Sequence, residues 1–396
     1  MRFLKFLLIV PVFVLTGCQD DSPSAPPQEP GQLVSATQTA AYSYQDLRII
    51  GALLGFDDFT DVLNHDVAVY RMVYRTSYHG DATEASGLLF VPQNLQESAP
   101  IVSLQHGTTF LKNDAPSVAG EFSGVELFAS AGYVALMPDY LGYGKSSSIF
   151  HPYYDREHSA KAVTDMILAV GEFAEQEGIA LDGRVFLAGY SEGGYTTMAA
   201  AQAMQNGATP DYTLTAVAAG AGGYDLPHML EAILESETYD YPAYIAFLIK
   251  AYNETYGWNR PLTDFFADEY AAVLTQRLDG AHDDGDINPY LTNKIQELFN
   301  PDFLAALDDP EAEQDFKEAL AINAVSAWHA NAPITLYHGT DDVVVPYSNS
   351  ERTLESMTLA GTEDISLISI PGGTHGSSLL PMLTLAVPWF EELRRQ

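Results

Sequence analysis

The sequence predicts an α/β fold, a mostly parallel sheet with helices on both faces and a helical insertion above it, and three observations carry that expectation. From Pro100 onward, short apolar runs of strand length alternate with longer helical patterns. Such alternation implies parallel strands, because each crossover between them needs a covering helix. One interval breaks the rhythm: from Asp225 to about His329 no strand pattern occurs and the helical stretches are rich in aromatics. Third, Gly189-Tyr190-Ser191-Glu192-Gly193 follows an apolar run and precedes a run of small, helix-compatible residues. Strand, sharp turn and helix therefore meet at Ser191.

Taken in order, the chain opens with Arg2 and Lys5, an apolar run from Phe6 to Leu15, and then Leu15-Thr16-Gly17-Cys18. A basic start, a short apolar stretch and small residues before a cleavage point read as an export signal over residues 1–17, too short to span a bilayer as a mature helix. The small residues ahead of Cys18 resemble the lipobox of bacterial lipoproteins. That resemblance implies cleavage before Cys18, acylation of its new N-terminus and anchorage in a bacterial membrane; the alternative is a plain signal with an incidental cysteine. Gln19, rather than the Asp that marks inner-membrane retention in such lipoproteins, implies the outer membrane, on its periplasmic or surface face. Cys18 is the one cysteine in the chain, so no intramolecular disulfide can form. Residues 18–32, rich in Pro, Ser, Ala and Gln, read as a flexible tether.

The roughly 360 residues that remain exceed what one core usually needs. We expect a core in two parts, residues 33–224 and 330–396, interrupted by a cap at 225–329. Residues 67–74 and 87–91, β-branched and aromatic, flank the turn formers Gly80-Asp81 and suit an antiparallel pair at a sheet edge. Buried strands are expected at 101–104, 133–137, 185–188, 214–218, 334–337 and 365–370, and helices at 122–131, 156–175, 194–204, 349–360 and 377–393. Most of the cap aromatics, which include Tyr239, Tyr244, Phe247, Tyr252 and Phe266, are expected to pack its own small core. The others would line an apolar pocket over Ser191.

Lys and Arg number 18 against 53 Asp and Glu, a formal net charge of −35. Nucleic acid is excluded as a partner, since its phosphates would be repelled and no basic stripe exists to displace counterions. An acidic surface suits high ionic strength, where self-repulsion is screened. The run from Asp279 to Asp286 is dense in carboxylates but lacks the spaced ligands and terminal Glu of an EF-hand. It reads as an acidic surface loop rather than a calcium site, and no metal is assigned.

A serine hydroxyl is a poor nucleophile at neutral pH, so Ser191 needs a base within reach and a carboxylate to fix the base's tautomer. At a strand-turn-helix serine the partners follow in the order acid, then His, on loops after later strands. His375, in Gly373-Thr374-His375-Gly376 after the last expected strand, is the candidate base. Asp342, just past the strand before it, is the candidate acid. Asp225 rivals it by following an earlier strand, although an Asp ahead of Leu226-Pro227-His228 also suits a helix N-cap. Negative charge developing on a substrate carbonyl needs two backbone N–H donors. They are expected from Glu192, whose side chain would be solvated, and from Thr108, in the Gln105-His106-Gly107-Thr108 turn where Gly107 makes room. His106 is read as structural.

Together, G-Y-S-E-G-G at 189–194, H-G-T at 106–108, P-D-Y-x-G-x-G-x-S at 138–146, H-G-x-x-D-x-x-V-P at 338–346 and G-x-H-G at 373–376 resemble the α/β-hydrolase superfamily. His151-Pro152-Tyr153 ahead of a helix, with a helical insertion before the acid, is similar to bacterial relatives of the secretory lipase and esterase group. The resemblance covers residue 67 to the C-terminus, cap excepted, and selects Asp342 over Asp341. It implies a serine hydrolase that cleaves small-molecule or lipid carboxylic esters through an acyl-enzyme, with no cofactor. A serine peptidase uses the same fold and triad. A silent surface-binding lipoprotein is the third reading, and no triad member is missing to favour it.

Overall fold

The computed structural model describes residues 29–396. Cys18, the export signal and residues 18–28 of the tether lie outside the described residues. Nine strands form one sheet: β1 (Leu33–Tyr42), β2 (Val67–Tyr78), β3 (Asp81–Pro92), β4 (Ala99–Gln105), β5 (Val134–Pro138), β6 (Leu181–Tyr190), β7 (Thr213–Gly220), β8 (Ile334–Gly339) and β9 (Ile365–Ile370). Their order is β1-β2-β3-β5-β4-β6-β7-β8-β9. Pairing is antiparallel from β1 to β5 and parallel from β5 to β9.

Among the described residues ten helices of eight or more residues accompany the sheet, together with one of six that packs on it; the first is α1 (Tyr44–Leu53) and the six-residue one is α2 (Val125–Ser130). After α2 come α3 (Arg156–Glu177), α4 (Glu192–Gln205), α5 (Leu226–Leu234), α6 (Pro242–Thr255), α7 (Asp268–Arg277), α8 (Pro301–Asp308), α9 (Gln314–Asn323), α10 (Tyr347–Leu359) and α11 (Leu379–Arg394). The strands alternate faces with period two, as pleating requires. Val185 and Leu187 of β6 join α3 and α4 in one core, while Phe186 and Ala188 pack with α1, α2 and α11 on the other side. Among the described residues no helix is long and apolar enough to cross a membrane.

Four details depart from the sequence expectation. The β2–β3 pair is not the edge, because β1 adds outside it; its residues Leu33–Tyr42 are small and polar and mostly unburied, so they carry no apolar alternation to announce a strand. The β2–β3 turn is His79-Gly80, both with positive φ, while Asp81 already pairs with Tyr78. The helix expected from residue 122 starts at Val125, because Gly124 lies at φ 87° and ends the loop before it. Gly31 and Gln32, assigned to the tether by composition, exchange backbone hydrogen bonds with Arg75.

Between β7 and β8 lie α5 to α9 and only isolated β-bridges. Phe247, Tyr252, Phe265 and Phe266 are buried there. Around the acidic loop, Asp279 accepts from Ala281 N and His282 Nδ1, and Asp283 accepts from Asp286 N. Among the described residues no group of three His, Cys, Asp or Glu is arranged to hold a metal ion.

Candidate active site

β6 ends at Tyr190 and α4 begins at Glu192, which leaves Ser191 alone to turn the chain, at φ 61° and ψ −125°. That backbone is costly for a residue with a side chain and is held by its surroundings. Ser191 N donates to Gly220 O at 2.8 Å, and Tyr195 N donates to Ser191 O at 3.1 Å. The glycines at either side are steric necessities: a Cβ on Gly189 would run into the Gly193 carbonyl, and one on Gly193 into the Gln105 carbonyl.

His375 and Asp342 reach this serine because β8 and β9 are parallel neighbours, with Gly339 opposite Ile370 at their ends. Asp341 N donates to Gly373 O at 3.0 Å and ties the two loops together, and Tyr190 OH donates to His375 O at 2.6 Å. Asp342 Oδ2 lies 2.6 Å from His375 Nδ1, and His375 Nε2 lies 2.8 Å from Ser191 Oγ. Burial by itself would raise the Asp342 pKa. Hydrogen bonds from His338 and His375 and from the Val345 amide outweigh it and hold the carboxyl well below the usual carboxylate range. Asp342 is therefore an acceptor, Nδ1 of His375 carries a proton, and Nε2 is left to accept from Ser191. That is the arrangement in which an imidazole can take a serine proton.

His338 is a supporting residue that sequence reasoning did not assign. Its Nε2 faces two acceptors, Val345 O at 3.1 Å and Asp342 Oδ2 at 3.2 Å, so it donates; its Nδ1 lies 2.7 Å from Ser350 Oγ. The opposite oxygen, Asp342 Oδ1, accepts from Val344 N at 2.9 Å and Val345 N at 3.0 Å. The signal was present as the first residue of H-G-x-x-D, four positions before the acid. Asp225 stands elsewhere: it caps α5 by accepting from His228 N and pairs with Arg352 Nε at 2.8 Å. Asp341 is exposed and is not brought to His375.

Glu192 N opens the first turn of α4, where an amide has no partner within the helix. Among the described residues Thr108 N has no acceptor either, and its Oγ1 lies 3.0 Å from Tyr153 OH. A Cβ on Gly107 would stand 3.8 Å from Ser191 Cβ, which places this turn directly beside the serine. His106 Nδ1 lies 2.7 Å from Gly107 O and the ring stacks on Tyr140. One expectation is overturned here: the Glu192 side chain is not solvated but 1% exposed, with Oε1 2.7 Å from His151 Nε2. The first turn of α4 points it inward under the loop that precedes α3, where a histidine takes the place of water.

Over Ser191 lies a narrow cavity of about 30 Å³, room for roughly two waters. Met229, Leu230 and Ile233 of α5, Ile245 and Leu248 of α6, and Val344 form its aliphatic wall, and Tyr153, Tyr154, Tyr239 and Tyr244 the rest. Among the described residues no carboxylate lines it. The larger groove beside it, along α5, α8 and α9, lies farther from the serine and is lined by charged residues such as Glu231, Asp308 and Lys317.

Residues 118–393, more than half of the chain, match the family model described as secretory lipase. No curated protein matches the chain. Among solved structures, a candidate hydrolase from Legionella pneumophila is similar at TM-score 0.82 and 26% identity, covering 92% of this chain and 99% of that one. The rice cell wall degrading esterase LipA from Xanthomonas oryzae is similar at TM-score 0.78 and 25% identity, covering 93% and 98%. Candida antarctica lipase A in its closed state, at TM-score 0.65 and 15% identity over 92% and 83%, shares the fold.

Proposed function

This chain belongs to the secretory lipase family, and from that premise we propose that it is a serine hydrolase which cleaves carboxylic esters through an acyl-enzyme on Ser191. The observation that carries the reading is the hydrogen-bonded series Asp342, His375, Ser191, opening onto an apolar cavity. Ser191 Oγ attacks the ester carbonyl as His375 Nε2 takes its proton, and Asp342 stabilises the imidazolium that forms. The oxyanion is received by the amides of Glu192 and Thr108, a reading supported by their lack of another acceptor among the described residues. His375 then protonates the departing alcohol, and water repeats the sequence to release the acid and free the serine.

The cavity favours an ester with an apolar acyl group over a peptide with a free amine. Gripping an ammonium group calls for a carboxylate in the pocket, and the cavity walls are aliphatic and tyrosine. A panel of p-nitrophenyl esters beside aminoacyl p-nitroanilides tests this. Each added methylene that the cavity accepts should raise kcat/KM about fourfold, from roughly 0.8 kcal/mol per buried CH₂, until the chain outgrows the space. Faster turnover of an anilide than of every simple ester would give the peptidase reading the place.

We also propose, from Leu15-Thr16-Gly17-Cys18 and the tether behind it, that the mature protein is a lipoprotein anchored through acylated Cys18 in a bacterial outer membrane. There its substrates would be small or lipid esters reaching the membrane face.

A further inference from the structure

The residue after the nucleophile carries a carboxylate that takes no part in the acyl-transfer steps. Glu192 Oε1 lies 2.7 Å from His151 Nε2, while Oε2 has no hydrogen-bond partner among the described residues. His151 is 5% exposed, and its Nδ1 lies 2.7 Å from Leu141 O. A carbonyl oxygen only accepts, so Nδ1 carries a proton. If Nε2 were bare and Glu192 ionised, two lone pairs would face each other at bonding distance. The contact therefore holds one further proton, on one partner or the other, and the pair as a whole is neutral.

Neutrality matters because of where the pair sits. The Glu192 amide is one of the two donors proposed for the oxyanion, and a bare buried carboxylate on the same residue would oppose negative charge developing there. The same imidazole is also linked to the other donor: His151 stacks on Tyr140 with centroids 6.0 Å apart, Tyr140 stacks on His106 at 4.1 Å, and Tyr140 OH donates to His106 O at 2.9 Å. His106 begins the turn that presents Thr108.

We propose that His151 is a positioning residue for ester hydrolysis, sharing one proton with Glu192 so that no net charge lies beneath the oxyanion donors. The proposal rests on the reading of Ser191 as nucleophile. Its test compares the full-length wild type with His151→Asn and with the double variant His151→Asn/Glu192→Gln, measuring kcat and KM for a p-nitrophenyl ester and folding by circular dichroism. In His151→Asn the carboxylate loses its proton partner, and kcat should fall about ten- to a hundredfold, less than the roughly hundred- to thousandfold cost of losing an oxyanion donor outright because both donors remain, with KM little changed. Adding Glu192→Gln removes the charge and should restore kcat at least severalfold. A folded His151→Asn at wild-type kcat, or a folded double variant no faster than the single one, overturns the proposal. If His151→Asn does not fold, the same comparison is made with His151→Gln and its double. Fluorophosphonate labelling separates the two levels: a wild type that takes no label on Ser191 defeats the nucleophile reading, whereas a labelled wild type with no rescue defeats only this inference.

Discussion

Replacing Asp342 by Asn changes one atom, and the surroundings dictate where it must lie. Oδ1 is held by the amides of Val344 and Val345, at 2.9 and 3.0 Å, so the new carbonyl oxygen takes that side. The NH₂ then falls where Oδ2 was, facing His375 Nδ1 and the donor Nε2 of His338. Turning the amide over would strip both backbone donors of their acceptor, which costs about 1 to 3 kcal/mol for each buried group left unmade. His375 must accept through Nδ1 instead, and its proton moves to Nε2, where it faces Ser191 and cannot receive the serine proton. In a comparable triad this tautomer error lowers turnover by about four orders of magnitude, or roughly 5 kcal/mol of barrier. The NH₂ facing His338 should also lower stability by about 1 to 3 kcal/mol without unfolding the protein. The assay is kcat and KM on p-nitrophenyl butyrate, with urea denaturation alongside. Asp342→Asn should be folded and slower by about the factor above with KM little changed, while Asp341→Asn and Asp225→Asn keep most activity. A folded Asp342→Asn enzyme within tenfold of wild type would refute the reasoning, and a dead Asp225→Asn beside it would move the acid to Asp225.

The other predictions are independent of that one. Asp165, buried against α3's neighbours and accepting from Thr76 Oγ1 at 2.6 Å, has its pKa raised to about 6, chiefly by burial. The folded state therefore binds the extra proton between the unfolded value near 4 and that value. Stability should fall as pH rises through this window, by up to about 3 kcal/mol. Asp165→Asn, measured by urea denaturation at pH 4 and pH 7, should remove that fall; parallel pH dependence in the two proteins would count against it. Cys18 should incorporate labelled palmitate when the protein is expressed in a bacterium, and Cys18→Ser should not; an unlabelled soluble product starting at another residue would end the lipoprotein proposal.

Much of the site was legible because its constraints are local. Gly189 and Gly193 must be glycine because a Cβ at either would meet backbone, and that requirement is written as a five-residue pattern. Asp342 and His375 were legible from placement, each just beyond a strand, since consecutive parallel strands bring their following loops together. What escaped was long-range or carried no periodic signal. Glu192 was read as solvated because carboxylates ordinarily are, and its partner His151 lies 41 positions away. β1 escaped because an edge strand with small polar side chains has little apolar alternation to show. In the cap the helices were foreseen, but which tyrosines face the cavity depends on how the helices pack: Tyr239 and Tyr244 line it, whereas Tyr252 is buried and hydrogen-bonds Tyr154 O.

The central claim is that Ser191 becomes covalently bonded during turnover, and the most direct measurement is the mass of the protein after treatment with a fluorophosphonate. The account predicts one adduct per chain, located on the peptide that contains Ser191, with ester hydrolysis lost in proportion to its formation and no adduct on Ser191→Ala. Native-rate hydrolysis by folded Ser191→Ala, or full inactivation with the adduct on another residue, would contradict it.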